Sequence, residues 1–269
     1  MARLVLTHVE PRGSRIMAGL RESGHEGLLL AFSRLRAAPD AAARLAAIDP
    51  AGYHRIIMVS PSTACFAARA RPGAWPAGSR FSAVGPGTAQ AIVEAGIAEA
   101  PEQVESPAGD RHDADAMLGQ PSFREGAGRR ILVLAGDGGR RDWADALASR
   151  GFELERIELY RREAIVPSEE DWQRLAQWAG DGEDPVFVVT TADAADRLVA
   201  GLALHGLDEW ARRRIAFCPH ERIAARLATA DWRDVRVTGG GGHLLDAAIE
   251  SGLPARGPGN DERTDANCP

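Results

Sequence analysis

The sequence predicts an α/β protein of two similar domains, each with a parallel sheet flanked by helices. The main observation is a repeat, because three segments occur once in each half of the chain and in the same order. Each reads as an apolar strand, a short turn and a helix, a succession typical of parallel sheets covered by helices. The three pairs of segments begin at Arg3 and Arg129, at His54 and Asp184, and at Arg80 and Arg214.

Length and charge narrow the class of protein. A chain of 269 residues fits one large domain or two of ordinary size. The net charge of −6 argues against a general nucleic-acid binder, which carries a basic excess. The N-terminus starts directly with a strand rather than a signal peptide, and no apolar run approaches the length of a membrane span. We therefore expect a soluble, cytoplasmic protein that binds neither nucleic acid nor membrane.

The elements of the first half follow from apolar runs and helical spacing. Predicted strands are Leu4–Thr7, Gly27–Phe32, Ile56–Val59, Phe81–Val84 and, with a loop, Ala100–Arg111. Predicted helices are Ser14–Ser23, Ala41–Ile48, a helix through Ala70 with Pro61 in its first turn, Thr88–Ala95 and Ala114–Leu118. Ser60 or Ser62 can cap the third helix, and Gly24 is well placed to end the first.

The second half repeats the alternation. Predicted strands are Ile131–Leu134, Phe152–Arg162, Val186–Val189, Ile215–Cys218 and Val235–Val237. Predicted helices are Arg141–Ser149, Glu169–Trp178, Ala192–Leu202, Glu221–Ala228 and Leu244–Glu250. Ser168 and Asp171 form an acidic variant of the capping box at the start of the second helix. The tail from Pro254 to Pro269 is rich in Pro, Gly and charge, which predicts disorder.

The strand-to-helix turns are the candidate binding groups, because two like halves leave a cleft that such turns can face. Gly136-Asp137-Gly138-Gly139 fits neither a dinucleotide fingerprint nor a Walker loop, so a tight turn and an anion site next to Arg140 and Arg141 both stay open. Gly85–Thr88 matches Cys218–Glu221, where capping and carboxylate binding by backbone N–H groups stay open. The hydroxyls of Ser60–Thr63 match those of Thr190–Thr191, and this pairing favours a shared ligand-facing rim.

Metal and cofactor signatures are missing from the sequence. Cys65, Cys218 and Cys268 are scattered, and the His residues lack the spacing of zinc sites. Asp113 and Asp115 stand at a predicted helix start, where capping explains them better than metal binding. We expect no metal and no cofactor, so that a reaction here would use the reactivity of the substrate itself.

Tyr160 stands out because the chain has only two tyrosines. It ends a predicted strand, next to Arg161 and Arg162. An ordinary strand tyrosine is the simpler interpretation of its position. A phenol that donates a proton at the cleft is the functional one.

The chain resembles the uroporphyrinogen-III synthase family. The residues that carry the resemblance are the early VLT (Val5–Thr7), Tyr53–Ser60, Ala83–Ala89, Ile131–Arg140, Glu158–Arg162 and Val188–Thr191, in order and at fitting spacing. The resemblance covers residues 3 to about 250. It implies an enzyme of the lyase class that cyclises hydroxymethylbilane, a linear tetrapyrrole, to uroporphyrinogen III, with loss of water, inversion of ring D and no cofactor. A non-catalytic tetrapyrrole- or polycarboxylate-binding module of the same fold is the alternative.

The resemblance also implies a discontinuous domain arrangement. Residues 1–34 and 163–253 would form one domain and residues 38–157 the other. Two linker strands, residues 35–37 and 158–162, would join them, with the active site in the cleft between the domains. We expect a monomer that makes transient contact with hydroxymethylbilane synthase.

The resemblance assigns roles to individual residues. Tyr160 matches the functionally important tyrosine of the family, thought to assist departure of the ring A hydroxyl. Candidate substrate-binding residues are Thr7, Arg12, Ser60, Ser62, Thr63, Gly85, Thr88, Gly136, Gly138, Arg140, Thr190, Thr191, Pro219 and Arg222. The chain departs from the family at His8, where an Arg is common, and Arg12 is the candidate to supply that charge. It also has Ala31-Phe32 where the first linker commonly carries a Pro.

Overall fold

A computed structural model describes residues 1–107, 114–138, 142–238 and 242–253. The strands are β1 (Arg3–Leu6), β2 (Glu26–Leu29), β3 (Ser33–Ala37), β4 (Arg55–Met58), β5 (Phe81–Ala83), β6 (Val104–Glu105), β7 (Arg130–Gly136), β8 (Glu153–Ala164), β9 (Val186–Val188), β10 (Ile215–Cys218) and β11 (Asp234–Val237). The helices are α1 (Arg12–Glu22), α2 (Ala41–Ala46), α3 (Pro61–Ala70), α4 (Pro86–Glu94), α5 (Ala114–Leu118), α6 (Asp142–Ser149), α7 (Glu169–Gly180), α8 (Ala192–Leu204), α9 (Asp208–Ala211), α10 (Glu221–Thr229) and α11 (Gly242–Gly252).

The chain divides into two compact units. Unit 1 contains residues 1–34 and the described residues from Ala164 onward, and unit 2 contains Leu35–Glu163. The chain passes from unit 1 to unit 2 within β3 and returns at the end of β8. No helix in the described part of the chain is both long and apolar enough to span a membrane.

Unit 1 is built on a sheet in the order β11-β10-β9-β1-β2, and all its strand pairs are parallel. Successive side chains of a strand point to opposite faces, and both faces of this sheet are buried. Val5 and Phe187 pack on one face with residues of α7, α8 and α10. Leu4 and Val186 pack on the other with residues of α1 and α11. Burial on both faces explains the apolar runs seen in the sequence.

Unit 2 is built on a sheet in the order β3-β8-β7-β4-β5-β6. The pairs from β8 to β6 are parallel. At the other edge, Ala38 N–H donates to Leu159 O at 2.9 Å and Ile165 N–H donates to Phe32 O at 3.1 Å, so β3 runs antiparallel to β8. One face of the sheet packs against residues of α5 and α6. The predicted class, α/β with two sheets flanked by helices, is confirmed, and the sheets are parallel except at the β3 edge.

The repeated segments occupy matching places in the two sheets. The first pair forms β1-α1 and β7-α6, the second β4-α3 and β9-α8, and the third β5-α4 and β10-α10. The order of equivalent strands is also the same in the two sheets. Unit 1 has β11-β10-β9-β1-β2 across its sheet, and the corresponding strands of unit 2 are β6-β5-β4-β7-β8. The repeat in the sequence is therefore a repeat of topology.

Most predicted elements are present with shifted ends. The predicted strand Gly27–Phe32 stops at Leu29, and a separate strand, β3, begins at Ser33. The predicted capping box is present, since Ser168 Oγ accepts from Asp171 N–H while the Asp171 carboxylate accepts from Ser168 N–H. The short helix α9 was not predicted, because four residues are too few for a helical period to show. Predictions on Arg111, Asp113, Gly139–Arg141 and the tail from Pro254 lie outside the described residues.

Candidate functional site

Four neighbouring strands of unit 2 carry predicted site residues where the strand, or its parallel pairing, ends. In sheet order β7, β4 and β5 end near Gly136, Ser60 and Gly85 respectively. Their neighbour β8 continues to Ala164, but its parallel ladder with β7 ends at Tyr160. The carboxyl ends of parallel strands share one edge of the sheet, and this edge is where open α/β sheets bind ligands. The topology therefore brings these four positions, remote in the sequence, to one edge of unit 2.

Ser60 combines helix capping with a second contact. Its backbone is extended, Pro61 follows as the first residue of α3, and its Oγ accepts from Thr63 N–H at 3.2 Å. The same Oγ lies 3.0 Å from Thr63 Oγ1, which is fully buried. It also lies 3.2 Å from the Tyr160 hydroxyl. Capping and contact with a ligand were the alternatives in the sequence; the structure shows the cap, and the contact with a ligand stays a prediction. Ser62 is half-buried beside it.

A bulge places Tyr160 at this position. Ala135 pairs with Glu158 but Gly136 pairs with Tyr160, so Leu159 is an extra residue on β8. Asp137 N–H donates to Tyr160 O at 2.9 Å and closes the end of the ladder. Bulges re-aim side chains and occur often next to active sites. The half-buried Tyr160 ring is thus set beside Ser60 by the register of the strand.

Position 136 has room only for glycine, because the Tyr160 ring lies against it. A β-carbon built on it would come closer than 3.0 Å to three ring carbons of Tyr160. Arg156 donates from Nη2 to Gly136 O at 2.7 Å and so fixes the end of β7. Gly138 has a φ of +66°, a conformation that favours glycine. Arg140 lies outside the described residues.

The turn after β5 has backbone groups rather than capping side chains at the start of α4. Gly85 is the N-cap of α4, with extended backbone and no side-chain cap. Both Thr88 and Ala89 donate their N–H groups to Gly85 O, at 3.0 and 3.1 Å. Thr88 is buried and provides no cap at the helix start. The capping interpretation of Thr88 is therefore not what the structure shows.

In unit 1 the hydroxyl of Thr7 is used internally. It donates to Val188 O at 3.2 Å and accepts from Thr190 N–H at 3.2 Å, while Thr190 Oγ1 donates to Thr7 O at 3.3 Å. Thr7 is buried, and Thr191 Oγ1 caps α8 by accepting from Ala194 N–H at 3.1 Å. These contacts fix the ends of β1 and β9, and Thr190 and Thr191 remain partly exposed.

His8 follows Thr7 at the end of β1 and is buried. Burial, with a smaller contribution from the Arg12 cation, lowers the pKa of His8 to about 4. The imidazole is therefore neutral near pH 7, and its Nδ1 has no partner among the described residues. His8 does not replace the charge of an arginine, whereas Arg12, the exposed first residue of α1, carries one.

The turn after β10 matches the turn after β5. The N-cap of α10 is His220, which makes no side-chain cap, as at Gly85. Pro219 is half-buried before it, and Arg222 is exposed in the first helical turn. Cys218 is buried, which raises the pKa of its thiol and makes it a poor nucleophile.

Two residues of the unit 2 edge were not predicted. Phe66 stacks on Tyr160 with ring centroids 4.9 Å apart, and Arg156 holds Gly136. The spacing from Thr63 to Phe66 puts both on one face of α3, a signal that the sequence contained. The described residues hold no cluster of three or more His, Cys, Asp or Glu placed to bind a metal ion.

The fold and site define a two-unit α/β protein whose polar groups gather on strand-end turns. A family model described as uroporphyrinogen-III synthase HemD matches residues 14–238, more than half of the chain. The chain therefore belongs to the uroporphyrinogen-III synthase family, as its motifs indicated.

Individual relatives agree with the family. The chain is 27% identical over 241 residues to the uroporphyrinogen-III synthase of Salmonella typhimurium, covering 87% of this chain and 94% of the relative. It is 25% identical over 240 residues to that of Escherichia coli K12, with the same shares covered. The crystal structure of the Helicobacter pylori enzyme matches with a TM-score of 0.52 at 12% identity, covering 93% of this chain and 100% of that one. A mutant Thermus thermophilus enzyme gives a TM-score of 0.50 at 20% identity, again with 93% and 100% covered. The two structures support the fold.

Proposed function

We propose that this protein converts hydroxymethylbilane to uroporphyrinogen III as a cyclising hydro-lyase, with Tyr160 as the proton donor. The observation that carries the proposal is the contact of 3.2 Å between the Tyr160 and Ser60 hydroxyls at the strand-end edge of unit 2. A phenol can donate its proton, and a neighbouring hydroxyl can then donate to the oxygen left behind. Family membership supports the choice of reaction.

The first step is departure of the hydroxyl from ring A. Tyr160 gives its proton to the leaving hydroxyl, the carbon–oxygen bond breaks and water departs. The pyrrole N–H proton of ring A returns to the Tyr160 oxygen and ring A becomes an azafulvene, so that the phenol is restored and one water is lost overall. Ser60 rotates its O–H toward Tyr160 as negative charge develops there, while its Oγ still accepts from Thr63 N–H. A partner that strengthens as charge appears lowers the barrier.

The later steps need positioning more than chemistry. The substituted carbon of ring D attacks the azafulvene to give a spiro intermediate, which fragments and recombines with ring D inverted. The substrate closes without enzyme to the other isomer, so the protein must impose one conformation. Backbone N–H groups near Gly85 and Gly138 are proposed to bind substrate carboxylates. The matching turns of unit 1, at Thr191 and Arg222, are proposed to do the same.

Tyr53 provides a matched control because it is the other tyrosine of the chain. Tyr53 is buried in unit 2, donates to Glu155 Oε2 at 2.5 Å and accepts from Arg130 at 2.9 Å. Tyr53→Phe should lower stability and leave the product unchanged. Tyr160→Phe should lose most isomer III while the protein stays folded.

The test is a coupled assay. Porphobilinogen and hydroxymethylbilane synthase supply the substrate, the products are oxidised, and isomers I and III are resolved. Isomer III should appear only when this protein is present. Isomer I alone would refute the proposed function. Unchanged isomer III in Tyr160→Phe would remove Tyr160 from the mechanism and leave the function standing.

We also propose that the protein acts as a cytoplasmic monomer that takes its substrate from hydroxymethylbilane synthase in a transient contact. The instability of the open-chain substrate supports a short transfer. Sedimentation of the protein alone would measure its oligomeric state, and sedimentation of its mixture with the synthase would measure their contact. A stable dimer would contradict the monomer.

A further inference from the structure

Phe66 confines the ring of Tyr160 from the helix side. It lies on α3, is only 6% exposed, and stacks on the Tyr160 ring with a centroid distance of 4.9 Å and an angle of 29° between the planes. The Arg69 guanidinium lies over the Phe66 ring at 5.7 Å. Stacked rings of this kind hold one another in a defined geometry.

Gly136 confines the same ring from the strand side. The bulge at Leu159 brings Tyr160 opposite Gly136, and the ring lies so close that no β-carbon fits there. Ser60 contacts the hydroxyl at the end of the ring. The phenol is thus restricted by Phe66 on the helix, by Gly136 on the strand and by Ser60 at the N-cap. Of these three contacts, the one with Phe66 has no part in the proposed chemistry.

We propose that Phe66 is a positioning residue of the reaction, which acts by holding the Tyr160 phenol with its hydroxyl toward Ser60. This inference rests on the proposed function. The aromatic χ2 torsion is broad, so a tyrosine ring without a stacking partner samples many orientations. A misplacement of about 1 Å in a reacting group can cost on the order of 100-fold in rate. Phe66 has no group that can react, so the inference places its effect on the rate in its contact with Tyr160.

The packing itself can be measured without activity. The full-length protein labelled with ¹³C in tyrosine rings has two tyrosines, so their ring signals separate readily. Stacking under Phe66 should shift the Tyr160 ring protons upfield. In Phe66→Leu this shift should disappear, while the signals of Tyr53 stay in place as an internal reference.

The kinetic test compares two buried phenylalanines of unit 2. Phe66→Leu should lower kcat for isomer III by on the order of 10- to 100-fold with little change in KM, since the substrate still binds. Phe66→Tyr keeps the stack and should recover most of the rate. Phe81→Leu is the control, because Phe81 is 5% exposed and packs edge-on against Trp75 at 5.4 Å. It should lose stability without loss of kcat.

A double substitution tests whether Phe66 acts through Tyr160. In a Tyr160→Phe background, Phe66→Leu should cause no further loss of isomer III, whereas independent effects would multiply. Multiplied losses, or a wild-type kcat in Phe66→Leu once its stacking shift is gone, would overturn the inference. If Phe66→Leu does not fold, Phe66→Met, with similar volume, serves in its place. A wild-type protein that makes no isomer III would refute the function instead, and the NMR signals would still report the packing.

Discussion

Gly136→Ala is the sharpest test of the strand-end geometry. The new methyl group would overlap three carbons of the Tyr160 ring, and the backbone under it is held by Arg156 through Gly136 O at 2.7 Å. The ring must therefore move. Overpacking of this kind costs about 1–3 kcal/mol of unfolding free energy. Loss of the hydroxyl contact with Ser60 is expected to add about 1 kcal/mol.

The functional effect should be seen separately from the effect on stability. A displaced phenol no longer meets the leaving hydroxyl, so isomer III should fall on the order of 100-fold at a temperature where the variant is folded. Thermal unfolding and the isomer assay on the same samples measure both. Gly52→Ala is the matched control, since a β-carbon there meets nothing within 4 Å. A Gly136→Ala protein with wild-type stability and product would refute the packing described for Tyr160.

Three further predictions concern single features. His8 binds its proton with a pKa of about 4 in the folded state against 6.5 when unfolded, so the unfolded state takes up more protons as the pH falls below 6.5 and stability is lost there. Denaturant titrations should show that the free energy of unfolding falls between pH 6.5 and 5, and that His8→Asn removes about 2 kcal/mol of this fall. An unchanged pH dependence would contradict the burial of His8. Ser168→Ala removes the cap of α7 and should cost about 1 kcal/mol without changing the product, as thermal unfolding and the isomer ratio would show. Thr7→Val leaves Thr190 N–H without its acceptor and should cost about 1–3 kcal/mol, with isomer III still formed where the variant is folded; loss of isomer III there would instead show that this hydroxyl meets the substrate.

The sequence was sufficient for the fold because the fold rests on a repeated local pattern. Apolar runs such as Ile56–Met58 and Val186–Val188 are buried on both faces of their sheets, and such runs read directly as parallel strands. The capping residues Ser60 and Ser168 could also be predicted from local sequence, since a cap depends on the next three residues. Local physics and the final structure agree at these positions.

The sequence could single out the members of the site but not their contacts. Tyr160 was notable as one of two tyrosines, and Ser60 as a helix cap, yet 100 residues separate them. Their meeting depends on the bulge at Leu159, which shifts the pairing of β8 by one residue and has no signature in the alternation of side chains. Phe66 was missed although its spacing from Thr63 put both on one face of α3, because a buried helical phenylalanine is ordinary until its neighbour is known.

The matching topology of the two units makes their differences informative. The strand ends at Ser60 and Thr190 are equivalent, as are those at Gly136 and Thr7. In unit 1 the Thr7 hydroxyl joins the ends of β1 and β9 by hydrogen bonds to Val188 O and Thr190 N–H. In unit 2 the equivalent strand ends in a glycine, which leaves room for the phenol of Tyr160 to reach the cap of the next helix. At the equivalent strand end of unit 2, a glycine and a bulge thus give the Tyr160 phenol its place beside Ser60, which makes this strand end the candidate site of proton transfer.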